Sequence, residues 1–238
     1  MLATLATVGA AATLAAGGYA YAAMWPTSQI FGRAIIGGPD VREFALTYDD
    51  GPNDPYTQQL LDVLAGHDIR ATFFLIGRFV RQRPEIARAI RAAGHLVGNH
   101  TMSHPVLLFQ SPRHVREELA GCNAAIEDAL GEAVRYFRPP HGARRPDVLR
   151  AARDLGVTPV LWNAMGYDWK PTTAEKVLEN LKKGIRRNRQ RGCGSNLLLH
   201  DGGQARIGQD RGHSVAATAQ LLESTRESVR YVTVDAWG

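Results

Sequence analysis

From residue 41 onward the chain alternates short apolar runs with amphipathic helical stretches, and that rhythm leaves few folds open. Seven runs read as strands: Glu43–Thr47, Ala71–Leu75, His95–Gly98, Tyr136–Arg138, Thr158–Leu161, Asn196–Leu199 and Tyr231–Val234. Between them the apolar positions fall at helical spacing. Ser111-Pro112 supplies an N-cap and a proline for the first helical position, and Val115, Leu119, Cys122, Ile126 and Leu130 follow on one face. Strand–helix alternation over about 200 residues implies an α/β fold with a parallel sheet, open or closed into a barrel. A chain of 238 residues can bury one full core of that size. Two cysteines, Cys122 and Cys193, stand far apart, which excludes a disulfide framework and a thiolate metal site.

The first 25 residues are of another kind. Met1 to Trp25 carries no charged residue and is rich in Ala, Gly, Leu and Thr. As a helix it would be ~37 Å long, enough for a ~30 Å hydrocarbon core. It reads as a membrane anchor or as a secretory signal cut after Ala20-Tyr21-Ala22, with an Ala-rich helix of the folded domain as the third reading. The basic residues expected ahead of an anchor or signal are missing, so a start upstream of Met1 is open. Residues 26–40, with Pro26, Gly37, Gly38 and Pro39, read as a linker.

The candidate chemistry clusters at strand ends. Asp49-Asp50-Gly51-Pro52 follows the first strand, His100 the third, and Arg138 ends the fourth. Asp168 follows the fifth strand and His200-Asp201 the sixth. The carboxyl ends of parallel strands share one rim, where active sites of α/β folds are built. Two imidazoles and a carboxylate could hold a cation there, with a second carboxylate left as a base. Taken singly, these signals are weak. Asp-Asp-Gly-Pro is also a plain turn, and His100 with His104 is also a pair on one face of a helical turn.

Five motifs in one order make the reading specific. They are Thr47-Tyr48-Asp49-Asp50-Gly51, His100-Thr101-Met102-Ser103-His104, Arg138-Pro139-Pro140-His141-Gly142, Asp168-Trp169 and Leu198-Leu199-His200-Asp201. Together they resemble the polysaccharide deacetylases with the NodB homology domain, carbohydrate esterase family 4, over residues 41–238. The resemblance implies a distorted (β/α) barrel with about seven parallel strands. It implies Asp50, His100 and His104 as ligands of a divalent metal, zinc foremost, with cobalt, nickel or iron also suited. Asp49 is then the base toward the attacking water, and Arg138 pairs with and orients it. His200 is the general acid, held cationic by Asp168. Trp169 and Leu198 wall an apolar pocket for the acyl methyl. Pro140, His141 and Gly142 form a substrate-binding loop, with a backbone N–H near His141 facing the oxyanion.

The chain departs from the pattern twice. His141 stands where the family usually has tyrosine, either lining the groove or lying on its rim. Met165 stands where many members carry another Asp, which alters the sugar-facing loop. Lys182, Lys183, Arg186, Arg187, Arg189 and Arg191 form a basic run that suits a helix C-terminus or an anionic glycan, lipid or membrane surface. No motif accompanies it that would suggest nucleic acid. His67, His95, His114 and His213 lie outside the motifs and read as structural or exposed.

The expected function is metal-dependent removal of acetyl groups from N-acetylated (or O-acetylated) sugars of the cell envelope, by a protein anchored in or secreted through a membrane. The alternatives are a deacylase of a lipid-linked amino sugar, a carbohydrate-binding relic without turnover, or an envelope scaffold. The scaffold leaves the strand-end residues without a purpose.

Overall fold

The computed structural model describes residues 16–225 and 228–238. Residues 1–15 of the apolar N-terminal stretch therefore lie outside the described residues. Residues 16–24 are helical (α1). The domain then runs β1 (Glu43–Gly51), α2 (Tyr56–Gly66), β2 (Thr72–Leu75), α3 (Gly77–Gln82), α4 (Pro84–Ala92), β3 (Leu96–Asn99), α5 (Pro112–Leu130), β4 (Tyr136–Phe137) and α6 (Pro146–Asp154). It continues through β5 (Thr158–Pro159), β6 (Ala164–Met165), α7 (Ala174–Gln190), β7 (Ser195–His200), α8 (Gly212–Thr225) and β8 (Arg230–Tyr231). Among the described residues no helix is long and apolar enough to cross a membrane.

Seven strands lie in the order β5-β4-β3-β2-β1-β7-β6, all pairings parallel, and β8 adds to the foot of β1. The two outermost strands of that path, β5 and β6, are consecutive in the chain. Only Val160 to Asn163 separate them. That link can span at most about 18 Å, so the sheet must curl until its two edges face each other. The result is a curled half-barrel of seven parallel strands with helices outside. Ile35 is laid against this edge in a parallel bridge to Val160.

The period-2 alternation of the strands sorts the residues between two environments. Phe44, Leu46 and Tyr48 of β1 join Leu60, Leu64 and Leu221 in the core beneath the helices. Their neighbours Ala45, Thr47 and Asp49 face the barrel interior. There Ala45 packs with Phe74, Tyr136, Val160 and Val234, and Thr47 donates a hydrogen bond to Leu197 O (2.9 Å). β7 repeats the scheme: Leu197 and Leu199 go to the helices, while Leu198 packs with Leu161 and Trp162 inside. The interior thus grades from an apolar floor to a polar rim.

Helix α5 forms as its sequence predicts. Ser111 Oγ accepts from His114 N (3.2 Å), Pro112 opens the helix, Val115, Leu119, Cys122 and Ile126 are buried, and Gly131 closes it at φ +72°. Other boundaries differ from the sequence reading. β1 runs on through Asp49, Asp50 and Gly51, so the paired aspartates end the strand instead of following it. β6 was not expected: a two-residue strand carries no readable period. Asp168 therefore follows β6, and His200 is the last residue of β7.

Candidate active site

Asp49 and Asp50 are consecutive, yet both reach the same cavity. Side chains alternate faces along a regular strand, so something must break the alternation. The break is a bulge between Asp49 and Gly51, with Asp50 at φ +74°. Asp is among the few residues that tolerate this left-handed conformation. Gly51 is needed for a different reason: a Cβ there would lie 2.2 Å from Asp201 Oδ2.

The histidine pair sits in a loop, where the sequence spacing also allowed a helical turn. Thr101 and His104 both have positive φ, at +66° and +65°. The loop is held from within and from α5. Asn99 Oδ1 accepts from Thr101 N (2.7 Å), Thr101 Oγ1 accepts from His104 N (3.0 Å), and the Glu118 carboxylate accepts from Ser103 N and Oγ. Such strain persists only where surrounding contacts over-determine it.

His100, His104 and Asp50 offer ligand atoms that all lie within 4.8 Å of one another. His100 Nδ1 lies 2.8 Å from Arg138 O. A carbonyl only accepts, so Nδ1 carries the proton. Burial lowers the His100 pKa to about 4, against the opposing pull of Asp49, so the ring is neutral at ordinary pH. Its Nε2 is then a bare lone pair, 3.5 Å from Asp50 Oδ1 and 3.7 Å from Asp49 Oδ2. A lone pair facing carboxylate oxygens is repulsive unless a cation stands between them. His104 Nε2 lies 3.1 Å from the same Asp50 Oδ1, and neither that oxygen nor His104 Nδ1 has a well-formed hydrogen bond among the described residues. The donor set therefore fits a divalent cation.

Arg138 is fully buried beneath this cluster. Its Nη1 donates to Asp49 Oδ1 and Thr47 Oγ1, both at 2.8 Å, and Nη2 to Leu161 O (3.1 Å). The guanidinium lies over the Phe74 ring at 4.2 Å, a cation–π contact in a desolvated setting. Asp49 is thus held by one oxygen, and the other remains for chemistry.

His200 is paired in register with Asp49 across β1 and β7. Its Nδ1 and backbone N both donate to the Asp168 carboxylate at 2.8 Å. Ser214 Oγ donates to the same carboxylate (2.6 Å), and His213 Nε2 to Asp168 O (2.7 Å). Burial alone would lower the His200 pKa, but the Asp168 carboxylate outweighs it and raises it to about 9. The imidazole is a cation at neutral pH, with Nε2 unclaimed by Asp168.

Asp49, Asp50, His100, His104, His141, Met165, Trp169, Leu198 and His200 line one cavity of about 570 Å³. Trp169 is 41% exposed and packs edge-on to His200 at 5.5 Å, so it is a wall and not core. His141 stands edge-on to His104 at 4.9 Å. Pro140 and Gly142 are buried and do not line the cavity; a Cβ on Gly142 would meet Trp162 at 2.9 Å, so close packing requires the glycine. Sequence reasoning missed several neighbours. His213 and Ser214 support Asp168, and Met24, Trp25 and Pro26 join the cavity wall. Asp201, buried under Gly51, has its pKa raised to about 7 by burial, despite a hydrogen bond from Thr57 Oγ1.

The polysaccharide deacetylase family model matches residues 37–160, more than half of the chain. The chain belongs to that family. It is 39% identical to a chitooligosaccharide deacetylase of Sinorhizobium fredii over 171 residues, 71% of this chain and 75% of that one. It is 34% identical to a peptidoglycan-N-acetylglucosamine deacetylase of Bacillus cereus over 193 residues, 80% and 85% of the two chains. Among solved structures it resembles a family 4 pseudoenzyme from Bacillus anthracis, with a TM-score of 0.73 and 26% identity over 86% of this chain and 68% of that one. A mutant of that pseudoenzyme has restored activity. The chain is thus a carbohydrate deacetylase, a hydrolase of amide C–N bonds, on a fold that also carries inactive relatives.

Proposed function

We propose that this deacetylase is metal-dependent and removes acetyl groups from N-acetylglucosamine-type glycans of the cell envelope, working outside the cytoplasm. The observation that carries the proposal is the convergence of three parts on one cavity: an Asp-His-His cluster, a carboxylate with one oxygen left over, and a cationic imidazole. A binding protein has no use for the last of these.

Asp50, His100 and His104 would hold the cation, and zinc suits two imidazoles and a carboxylate, ahead of cobalt, nickel or iron. Such an ion supplies Lewis-acid polarisation of the acetyl carbonyl and a more acidic water. The residues of the chain perform the remaining steps. Arg138 fixes Asp49 through Oδ1, and Asp49 Oδ2 takes a proton from the attacking water. Trp169 and Leu198 enclose the acetyl methyl, and a backbone N–H near His141 would stabilise the developing oxyanion. His200 passes its Nε2 proton to the leaving nitrogen as the C–N bond breaks, while Asp168 holds the opposite ring nitrogen. Acetate and a free amine result, with no covalent enzyme intermediate.

Acetate release should be measured on chitin oligomers, peptidoglycan fragments, acetylxylan and lipid-linked amino sugars, with Asp49→Asn as the control. The proposal expects release from N-acetylglucosamine glycans by the wild type and none by the variant, at equal metal content. Silence on the whole panel would make the chain a relic, and equal rates would remove Asp49 from its role.

A further inference from the structure

We infer that residues 21–28 are a wall of the substrate groove, and that Trp25 is a stacking platform for a sugar beyond the one being deacetylated. The inference rests on the glycan reading above. It reassigns a stretch that sequence alone places at the end of an anchor or signal and the start of a linker.

Met24, Trp25 and Pro26 line the same cavity as Asp49, Asp50 and His200. The segment is pinned there by a buried cation. Arg144, 1% exposed, donates through Nη2 to Trp25 O (2.8 Å) and Ser28 O (2.6 Å), through Nη1 to Gly142 O (2.9 Å), and through its backbone N to Ala23 O (3.0 Å). Ala22 and Ala23 are buried against the domain. Arg144 comes two residues after Gly142, so the loop that carries Arg138 and His141 also fixes the N-terminal wall.

With its backbone tied down, Trp25 is still 54% exposed. It is backed by Tyr21, whose ring lies 6.0 Å away and 21° from parallel. A rigid, exposed, braced aromatic at a cavity mouth is well placed for apolar recognition. The C–H faces of a pyranose are apolar and slightly positive, and the face of an indole is negative. In the same cavity, Trp169 offers a second exposed ring beside His200. A lone acetylated sugar needs only the pocket over the cation site; a second aromatic wall on the β4 side suits a polymer that continues past it. A lipid surface is the competing occupant, since Tyr19 and Ile30 are also exposed. Those two do not line the cavity, whereas Trp25 does.

The test uses the Asp49→Asn protein, which binds without turnover, with and without Trp25→Ala. Each is titrated calorimetrically with N-acetylglucosamine oligomers of one to five sugars, and each is floated with phosphatidylglycerol/phosphatidylcholine vesicles. Trp25→Ala should weaken the longer oligomers about tenfold, with the loss growing with chain length. Trp25→Tyr should recover most of it. Equal affinities at every length, no oligomer binding, or a loss confined to vesicle flotation would each overturn the inference. Acetate release by the wild type is read separately. A wild type that binds through Trp25 but releases nothing would defeat the deacetylation proposal and leave this one standing.

Discussion

The two halves of the site differ in how fully their polar groups are partnered. The half on β1 and β3 is strained and incomplete: Asp50, Thr101 and His104 have left-handed backbones, and Asp50 Oδ1 and His104 Nδ1 are buried without hydrogen-bond partners among the described residues. The half on β6, β7 and α8 shares some of that strain, with Tyr167 left-handed at φ +58°, but its acid pair is fully partnered: Asp168 receives hydrogen bonds from His200, Ser214 and His213. The first half needs an ion to justify its geometry. The second already holds its charge pair and needs only substrate. Binding and proton delivery are therefore separable by mutation.

The largest effect should come from His100→Ala. Elemental analysis of the purified protein should find almost no bound metal, and acetate release should vanish; full metal content would break the division between the halves. Asp168→Asn should do the reverse, leaving metal in place while kcat falls about 10²–10⁴-fold, the usual worth of a general acid. Joint loss of metal and activity there would merge the halves into one unit.

A titration sharpens the contrast further. In metal-free protein followed by NMR, the two histidines should move in opposite directions from the free value near 6.5. His100 should titrate at about 4, because burial disfavours its charged form. His200 should titrate at about 9, because Asp168 overcomes burial. The signs give opposite stability windows. The raised His200 contributes stability that is complete below about 6.5 and lost as the pH rises through about 9. The depressed His100 destabilises the fold as the pH falls from about 6.5 toward 4. Both groups titrating near 6.5 would erase the difference. The smallest effect belongs to Ser214→Ala, which removes one of several bonds to Asp168. It should cost about 1 kcal/mol, or roughly 2–4 °C in the melting temperature, with metal content unchanged.

The frame around the site was more legible in sequence than either half of it. Alternating apolar runs fixed a parallel sheet, because period-2 and period-3.6 patterns are local signals. Ser111-Pro112 marked α5 for the same reason. The strained half was legible in its residues but not in its shape: the four-residue spacing of His100 and His104 fits a helical turn, and only the contacts to Glu118 and Asn99 select the loop. β6 has two residues and no period. The N-terminal wall depends on Arg144 meeting Trp25 across 119 positions, and no local pattern carries that distance. His213 and Ser214 look like an ordinary helix start until Asp168 arrives from 45 or more residues away.

Position 50 has a consequence of its own. Its backbone conformation would suit glycine best, and its place in the cluster demands an anionic oxygen, which glycine lacks. The side chains that accept both a left-handed backbone and an oxygen at short reach are Asp and Asn, and only Asp is charged. The permitted alphabet there is nearly a single letter. Asp50→Asn is therefore a one-atom exchange that keeps the bend and deletes the charge, while Asp50→Glu keeps the charge and loses the bend.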